Sequence, residues 1–527
     1  MFTSFIKKYL TTKNILLVTF FLSFFLLVRW NLITAPFERD EGNYAYSAWL
    51  IRKGIMPYEN TFPNKPPMII YTYLASQIFF GDHIWSPRVL MVISSLIVIF
   101  VLGLIVKMEY GSFAAWLSAF LLSLMLILPG GYGGNFLADI YYAANTEIFM
   151  ILPLVVLLYL FRRYREKAGL KIWFLAGVMS SLALNYKPIC LLIIVYIFVC
   201  WILDSWKQQK SISYLSKNIM AAFVGLLFSS VIIYLPFLVS DGGRKVFDQL
   251  INYTGCYVKS NDWLITFDRL ISRIIILLKY YWFLYVLFIY FLIKKPKHWL
   301  FYLGLFLISY FSVAPSIIGH FFIQTIPFFL IIIVISVGEI RKEKIFKGKG
   351  GLLVVAVFIT ILWPLRQMFT KSPQEIGLWV YGPYDQYYEA EFIGKKISEI
   401  TKPDDFVFNE GDDGEIIYFS QRRSAVRLEF TGSLISDCKM LKNYQADYYN
   451  DIKSNNPQVI VLCLRGSCGY VWNNEKIRPF TDYLIGIINE GYRVVGGWIP
   501  NNEGGYWLEP IKTEDIPYAR TVIFKKK

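Results

Sequence analysis

The chain has 527 residues, of which 56% are hydrophobic, 18% aromatic and only 17% charged. Soluble chains carry about a quarter charged residues, so this composition excludes an ordinary soluble protein and suits an apolar solvent. The net charge of +15 does not point to nucleic acid, because the basic runs lie between apolar segments, as membrane topology requires, and form no stripe on a polar domain.

In chain order, the first apolar run, Ile15 to Val28, follows Lys7, Lys8 and Lys13. Pro36 directly follows the only small-residue cleavage candidate, Thr34-Ala35, so the run is read as an uncleaved first helix. A span needs roughly 20 apolar residues. Further candidates begin near Arg88, Ser112, Glu147, Lys171, Ile189, Met220, Ile274, Trp299, Phe321 and Gly351, which makes about eleven. Arg162-Arg163-Tyr164-Arg165, Lys294-Lys295-Pro296-Lys297 and Arg341-Lys342-Glu343-Lys344 all fall on the cytoplasmic side if the amino terminus is inside. The loops at about 35–87, 130–146 and 241–268 then lie outside, together with the carboxy-terminal region.

Beyond Gln367 the composition turns polar. Strand-like runs (Phe406-Val407-Phe408, Val459 to Leu462, Thr521 to Phe524) alternate with amphipathic stretches such as Glu391 to Ile400. The expected architecture is a multi-pass α-helical membrane domain over 1–367, followed by an extracytoplasmic α/β domain over 368–527. Cys190 and Cys200 read as small buried hydrophobes. Cys463 and Cys468 are close enough for a disulfide, but spacing alone does not decide between a bridge and two thiols.

The polar residues of interest all fall on the outer side. Glu38-Arg39-Asp40-Glu41 follows the first helix; the acids either cap a helix or do chemistry. Lys65 and Arg88 bring positive charge to the same side, near prolines that also serve as helix breakers. Asp139 and Glu147 are eight apart and would share a helix face. Glu147 stands at the mouth of a span, where an ionisable group is a functional candidate. Lys187 either snorkels to the interface or joins the same cluster, and His320 is one of only three histidines. Acids with cations at an outer membrane face suit transfer from a lipid-phosphate-linked sugar: a cation stabilises the anionic leaving group while a carboxylate deprotonates the acceptor hydroxyl. The aromatic side chains nearby could stack on sugar or form an interfacial belt. A transporter for a lipid-linked glycan is the rival class, but it would carry paired halves and charges near the midplane, and neither is visible.

Arg39-Asp40-Glu41-Gly42-Asn43-Tyr44, Lys65-Pro66-Pro67, Arg88, Asn145-Thr146-Glu147 and Gly319-His320-Phe321-Phe322 together resemble the bacterial GT-C glycosyltransferases. These are related to protein O-mannosyltransferases and lipid A aminoarabinose transferases. The resemblance covers the chain to about residue 340. It implies a polyprenyl-phosphate-sugar donor, a lipid, glycan or protein acceptor, and transfer at the outer face of a bacterial cytoplasmic membrane. By the same resemblance Asp40 is the general base and Glu41 orients a sugar. Lys65, Arg88 and Lys187 hold the donor phosphate, and Arg39, Tyr44, Asp139, Asn145, Glu147 and His320 line the substrate. The mannosyltransferases have a histidine before the Pro-Pro pair where this chain has Lys65, which favours the bacterial branch. A divalent metal with His320 and a carboxylate as ligands is compatible with the sequence, and nothing in the sequence requires one.

Overall fold

The structure, a computed structural model, describes residues 12–127, 143–240, 243–255, 271, 282–313, 319–343, 350–382, 384, 387–411, 413–427, 434–435, 440–466 and 474–527. Its principal helices in the first part of the chain are α1 (Thr12–Leu27), α2 (Arg39–Arg52), α3 (Met68–Phe80), α4 (Trp85–Met125), α5 (Thr146–Tyr164), α6 (Leu170–Tyr186), α7 (Leu191–Lys207) and α8 (Ile212–Leu238). They are followed by α9 (Trp282–Lys294), α10 (Trp299–Phe311), α11 (Ile326–Lys342) and α12 (Gly350–Thr370). Among the described residues, five helical segments are long and apolar enough to cross a bilayer: Ile15–Leu32, Trp85–Met125, Pro188–Lys207, Ile212–Leu238 and His320–Lys342. Large apolar side chains on α1, α7, α8 and α12, such as Phe20, Leu191, Val231 and Ile359, are exposed. A soluble surface would not tolerate that density of apolar groups, whereas lipid welcomes it.

At 41 residues, α4 would extend roughly 60 Å if straight, twice the hydrocarbon thickness. It does not run straight. Gly111 interrupts it with a left-handed φ of 83°, a conformation that costs glycine little, and divides it into the two spans expected from Arg88 and Ser112. The sequence places one other start late: α8 opens at Ile212 instead of Met220 because Ser211 caps it, its hydroxyl accepting from the Tyr214 amide at 3.1 Å.

The stretch 35–87 contains two helices that the hydropathy pattern did not announce. Helix α2 begins where Glu38 accepts from the amides of Asp40 (2.9 Å) and Glu41 (3.2 Å), while Glu41 reaches back to the Glu38 amide at 3.3 Å. This is a reciprocal capping box built from two glutamates. Helix α3 then packs beside α2, and the Gln77 side chain donates to the Ala45 carbonyl at 2.8 Å.

After α12 come α13 (Pro373–Tyr381), α14 (Glu389–Ile400), α15 (Gly414–Ser420), α16 (Leu441–Asn455) and α17 (Arg478–Gly491). They accompany a six-stranded sheet of β1 (Phe406–Glu410), β2 (Arg423–Ser424), β3 (Val459–Cys463), β4 (Tyr492–Ile499), β5 (Tyr506–Leu508) and β6 (Thr521–Lys526) in the order β2-β1-β3-β6-β4-β5. The first three strands are mutually parallel, and β6, β4 and β5 complete the sheet antiparallel. Each of the three strand-like runs read from the sequence is a strand. Strand β3 is buried at every position, as expected of an uninterrupted apolar run covered on both faces. Cys463 is disulfide-bonded, its partner lying outside the described residues, and Cys190 and Cys200 are free thiols.

The sheet region docks on α2. Phe37 stacks on Phe419 with ring centroids 5.9 Å apart. The Ser424 amide, on edge strand β2, donates to the Tyr46 hydroxyl at 2.8 Å, which satisfies one donor of an otherwise open edge. Gly42 and Gly414 let the two backbones nearly touch: a Cβ on Gly42 would lie 2.3 Å from the Glu415 nitrogen, and one on Gly414 would lie 2.0 Å from the Asn43 Oδ1.

Candidate active site

Five segments distant in sequence meet above α5. They are the first turn of α2, the loop before α3, the start of α5, the end of α6, and the 3-10 turn Gly319–Thr325.

Asp40 sits in the first turn of α2 with its side chain 23% exposed. The Lys65 ammonium is 3.7 Å from Asp40 Oδ2, and the Tyr44 hydroxyl, one turn along α2, donates to the same oxygen at 3.3 Å. Lys65 also donates to Asn64 Oδ1 at 2.8 Å, and the Tyr58 hydroxyl donates to the Lys65 carbonyl at 2.6 Å, so its loop is tied down. Burial pushes the Asp40 carboxyl up, but Lys65, His320 and Lys187 together outweigh it and hold the group below the ordinary aspartate range. Asp40 is therefore an anion at neutral pH. Burial, with Asp40 beside it, pushes the Tyr44 phenol well up, which keeps it a donor.

A second group lies at the mouth of α5. Glu147 is buried and paired through Oε1 with the Lys187 ammonium; His320 Nε2 is 3.7 Å from that oxygen, and the Thr146 hydroxyl donates to Oε2 at 2.8 Å. The Lys187 ammonium also lies 3.2 Å from the centroid of the Phe321 ring, a cation–π contact. Asn145 caps α5 in position only: its amide is buried and neither polar atom has a partner among the described residues. Phe321 and Thr146 complete this group without having stood out in the sequence as single residues. No three His, Cys, Asp or Glu side chains among the described residues converge as metal ligands, and Lys187 already neutralises Glu147.

Glu41 and Arg88 have a different place from the one the sequence suggested. Both side chains are fully buried. Arg88 donates to Glu41 through Nε (3.1 Å) and Nη2 (2.6 Å), to the carbonyls of Leu32 (3.1 Å), Ile33 (3.3 Å) and Pro36 (2.8 Å), and to that of Ala35. Glu41 Oε1 additionally accepts from the Ala144 amide at 2.9 Å. Every donor of the guanidinium is engaged by the protein, so Arg88 has none left for a phosphate. The pair instead braces the segment between α1 and α2 against the end of the second loop. Arg39 donates to the Tyr387 hydroxyl at 3.0 Å. Asp139 lies outside the described residues. The structure thus brings together Asp40, Tyr44 and Lys65, and beside them Glu147, Lys187 and His320.

Residues 64–239 match the dolichyl-phosphate-mannose-protein mannosyltransferase family. The crystal structure of ArnT from Cupriavidus metallidurans bound to undecaprenyl phosphate superposes with a TM-score of 0.61 at 11% identity, covering 98% of each chain. The apo structure of the same protein gives a TM-score of 0.60 at 12% identity, over 96% of this chain and 97% of the other. No curated protein matches the sequence significantly. At such identities the likeness concerns the fold, and it spans the helices and the sheet alike. The chain is a multi-pass α-helical membrane protein with a GT-C-like fold.

Proposed function

We propose that the chain transfers a sugar from a polyprenyl-phosphate donor to a hydroxyl of a lipid, glycan or protein acceptor at the outer face of a bacterial cytoplasmic membrane. The observation that carries the reading is the Asp40–Lys65 contact, 3.7 Å long and partly open, in a setting where the neighbouring ionic groups are already paired. Asp40 removes the acceptor proton as the hydroxyl oxygen attacks the anomeric carbon. The bond from that carbon to the phosphate oxygen breaks, and polyprenyl phosphate leaves with the electron pair. Lys65 has donors to spare and meets the charge developing on the phosphate, with Lys187 behind it. Attack opposite the leaving group inverts the sugar carbon. The ArnT crystal form holds undecaprenyl phosphate, the product such a donor would release, which supports this class of donor. In this reading residues 368–527 lie outside the membrane and the amino terminus lies in the cytoplasm. Glu41 and Arg88 act as frame.

The test uses purified protein in detergent with radiolabelled undecaprenyl-phosphate sugars, comparing the native chain with Asp40→Asn. Release or transfer that drops about 10²- to 10⁴-fold in the variant, with donor binding retained, supports the assignment. Equal turnover by both removes Asp40 as the base. Failure of every donor, together with movement of a lipid-linked glycan across proteoliposomes, would replace the transferase with a carrier.

A further inference from the structure

Farther along α2 from Asp40, a polar cavity of about 80 Å³ lies between the loop at Glu59 and Asn60 and edge strand β2. Tyr46 lines it, six residues beyond Asp40, which is about 9 Å along the helix and roughly a third of a turn away. The cavity is therefore separate from the site described above. Arg423 and Arg427 both contribute to its wall. The Arg427 side chain is only 9% exposed, and its one carboxylate contact within 4 Å among the described residues is Asp447, at 3.5 Å from Nη2. Its Nη1 is buried without a hydrogen-bond partner among the described residues.

A guanidinium in that state is costly. Burying an arginine with a donor unmet loses hydration that a single marginal contact does not replace. The acids in the wall do not repair it. Asp451 Oδ2 accepts from the Arg427 main-chain amide at 3.0 Å, and burial pushes Asp451 up from its ordinary value against the pull of Arg427. Glu59 has no ion pair within 4 Å to either arginine among the described residues. Arg423 lies over the Phe406 ring, 4.8 Å from its centroid, so its planar face is held while its edge is available. Asn60 and Asn455 also line the wall, their side-chain amides donating to the carbonyls of Met56 at 3.1 Å and Ala425 at 2.8 Å. Two arginines facing one small space, one of them with a buried donor unmet, match the fork geometry that binds carboxylates and phosphates. The volume equals that of two or three waters, so it accepts an anionic group and not a whole sugar.

We propose that this cavity is a second binding site, for a small oxyanion of carboxylate or phosphate type, held by Arg427 and Arg423 between the sheet edge and α2. An occupant would bridge the sheet region and the outer segment that carries Asp40.

The probes are inorganic phosphate and acetate, titrated at constant ionic strength into the full chain in detergent while the thermal-unfolding midpoint is followed. Phosphate should raise the midpoint of the native chain, and should still raise it in Lys65→Met/Lys187→Met, which disables the donor side. Arg427→Gln should weaken the apparent affinity about tenfold or more, Arg423→Gln should weaken it less, and Arg427→Lys should fall between. Acetate acting with phosphate on the same variants marks a general oxyanion site; phosphate acting alone narrows it to phosphate. A response lost in the double lysine variant and kept in Arg427→Gln would place the anion at Asp40 and overturn the proposal. So would no response to either probe beyond that of matched chloride. Arg423→Gln covers the case in which Arg427→Gln does not fold. None of these readouts requires sugar transfer, so the proposal stands or falls apart from the transferase reading.

Discussion

Replacing Arg88 by methionine separates two roles that the sequence alone leaves together. If the guanidinium held a donor phosphate, the variant would fold normally and bind donor poorly. The structure gives the opposite expectation. Arg88 and Glu41 are both 0% exposed, with Nη2 and Oε2 2.6 Å apart. Removing the arginine leaves Glu41, among the described residues, with the Ala144 and Glu38 amides and strands the carbonyls of Leu32, Ala35 and Pro36. Breaking a buried pair by deleting one partner costs about 3–5 kcal/mol, against a total stability of about 5–15 kcal/mol. Arg88→Met should therefore yield little folded protein and lower its midpoint of unfolding in mixed micelles by several kcal/mol equivalent. Methionine at both positions leaves no lone buried charge, so Arg88→Met/Glu41→Met should cost less than the two single changes summed, with a coupling of about 1–3 kcal/mol. The reasoning fails if Arg88→Met unfolds with the native midpoint while losing donor affinity, or if the two costs simply add.

Asp40 is held below the ordinary carboxylate range by nearby cations after burial is overcome. The acid limb of kcat/KM should thus lie below about pH 4, and Lys65→Met should move it upward; a limb that stays put in the variant would contradict the pairing. The same depressed value gives Asp40 a stabilising contribution that is present above its unfolded value near 4 and is lost as pH falls through the lower folded one. Glu415 has the reverse sign. Burial, with Asp413 adjacent, pushes it well up, and neither carboxyl oxygen has a hydrogen-bond partner among the described residues. Stability should fall as pH rises from about 4.3 toward the raised folded value, and Glu415→Gln should flatten that slope and gain about 1–3 kcal/mol at neutral pH, as read from unfolding midpoints across a pH series. Gly42→Ala would put a methyl 2.3 Å from the Glu415 nitrogen, so it should cost about 1–3 kcal/mol by overpacking and open the sheet region to limited proteolysis.

Much of this architecture was legible because hydropathy and turn chemistry act locally. Every candidate span start falls on or beside a helix except Ile274, which lies outside the described residues. The strands at Val407, Ile460 and Val522 follow from runs of β-branched and aromatic residues. Helix α2 escaped because its apolar and polar residues obey no single face. Tyr44 turns toward Asp40, Tyr46 toward the sheet edge and Trp49 stacks on Tyr46, while Gly42 meets α15. A helix buried on several sides by different partners has no stripe to read. Arg88 escaped for another reason. A lone arginine at the mouth of a span reads alike whether it faces a phosphate or four main-chain carbonyls, and only the path of the chain from Leu32 to Pro36 decides.

That path also explains why two adjacent acids can have opposite duties. Successive residues of a helix point about 100° apart, so Asp40 and Glu41 cannot share an environment once α2 is anchored. The capping box and the Arg88 pair fix the rotation of α2, turning Glu41 into the interior and leaving Asp40 toward Lys65. Gly42 then brings the next position against Glu415, so the sheet region restrains the same turn from the far side. The arrangement puts an anion at the positive end of a helix dipole, partly exposed, with one ammonium within 4 Å among the described residues, that of Lys65. Position within one turn, more than residue type, distinguishes the acid proposed for proton transfer from the acid that holds the frame, and exchanging the two residues (Asp40→Glu with Glu41→Asp) should preserve composition while losing both function and fold.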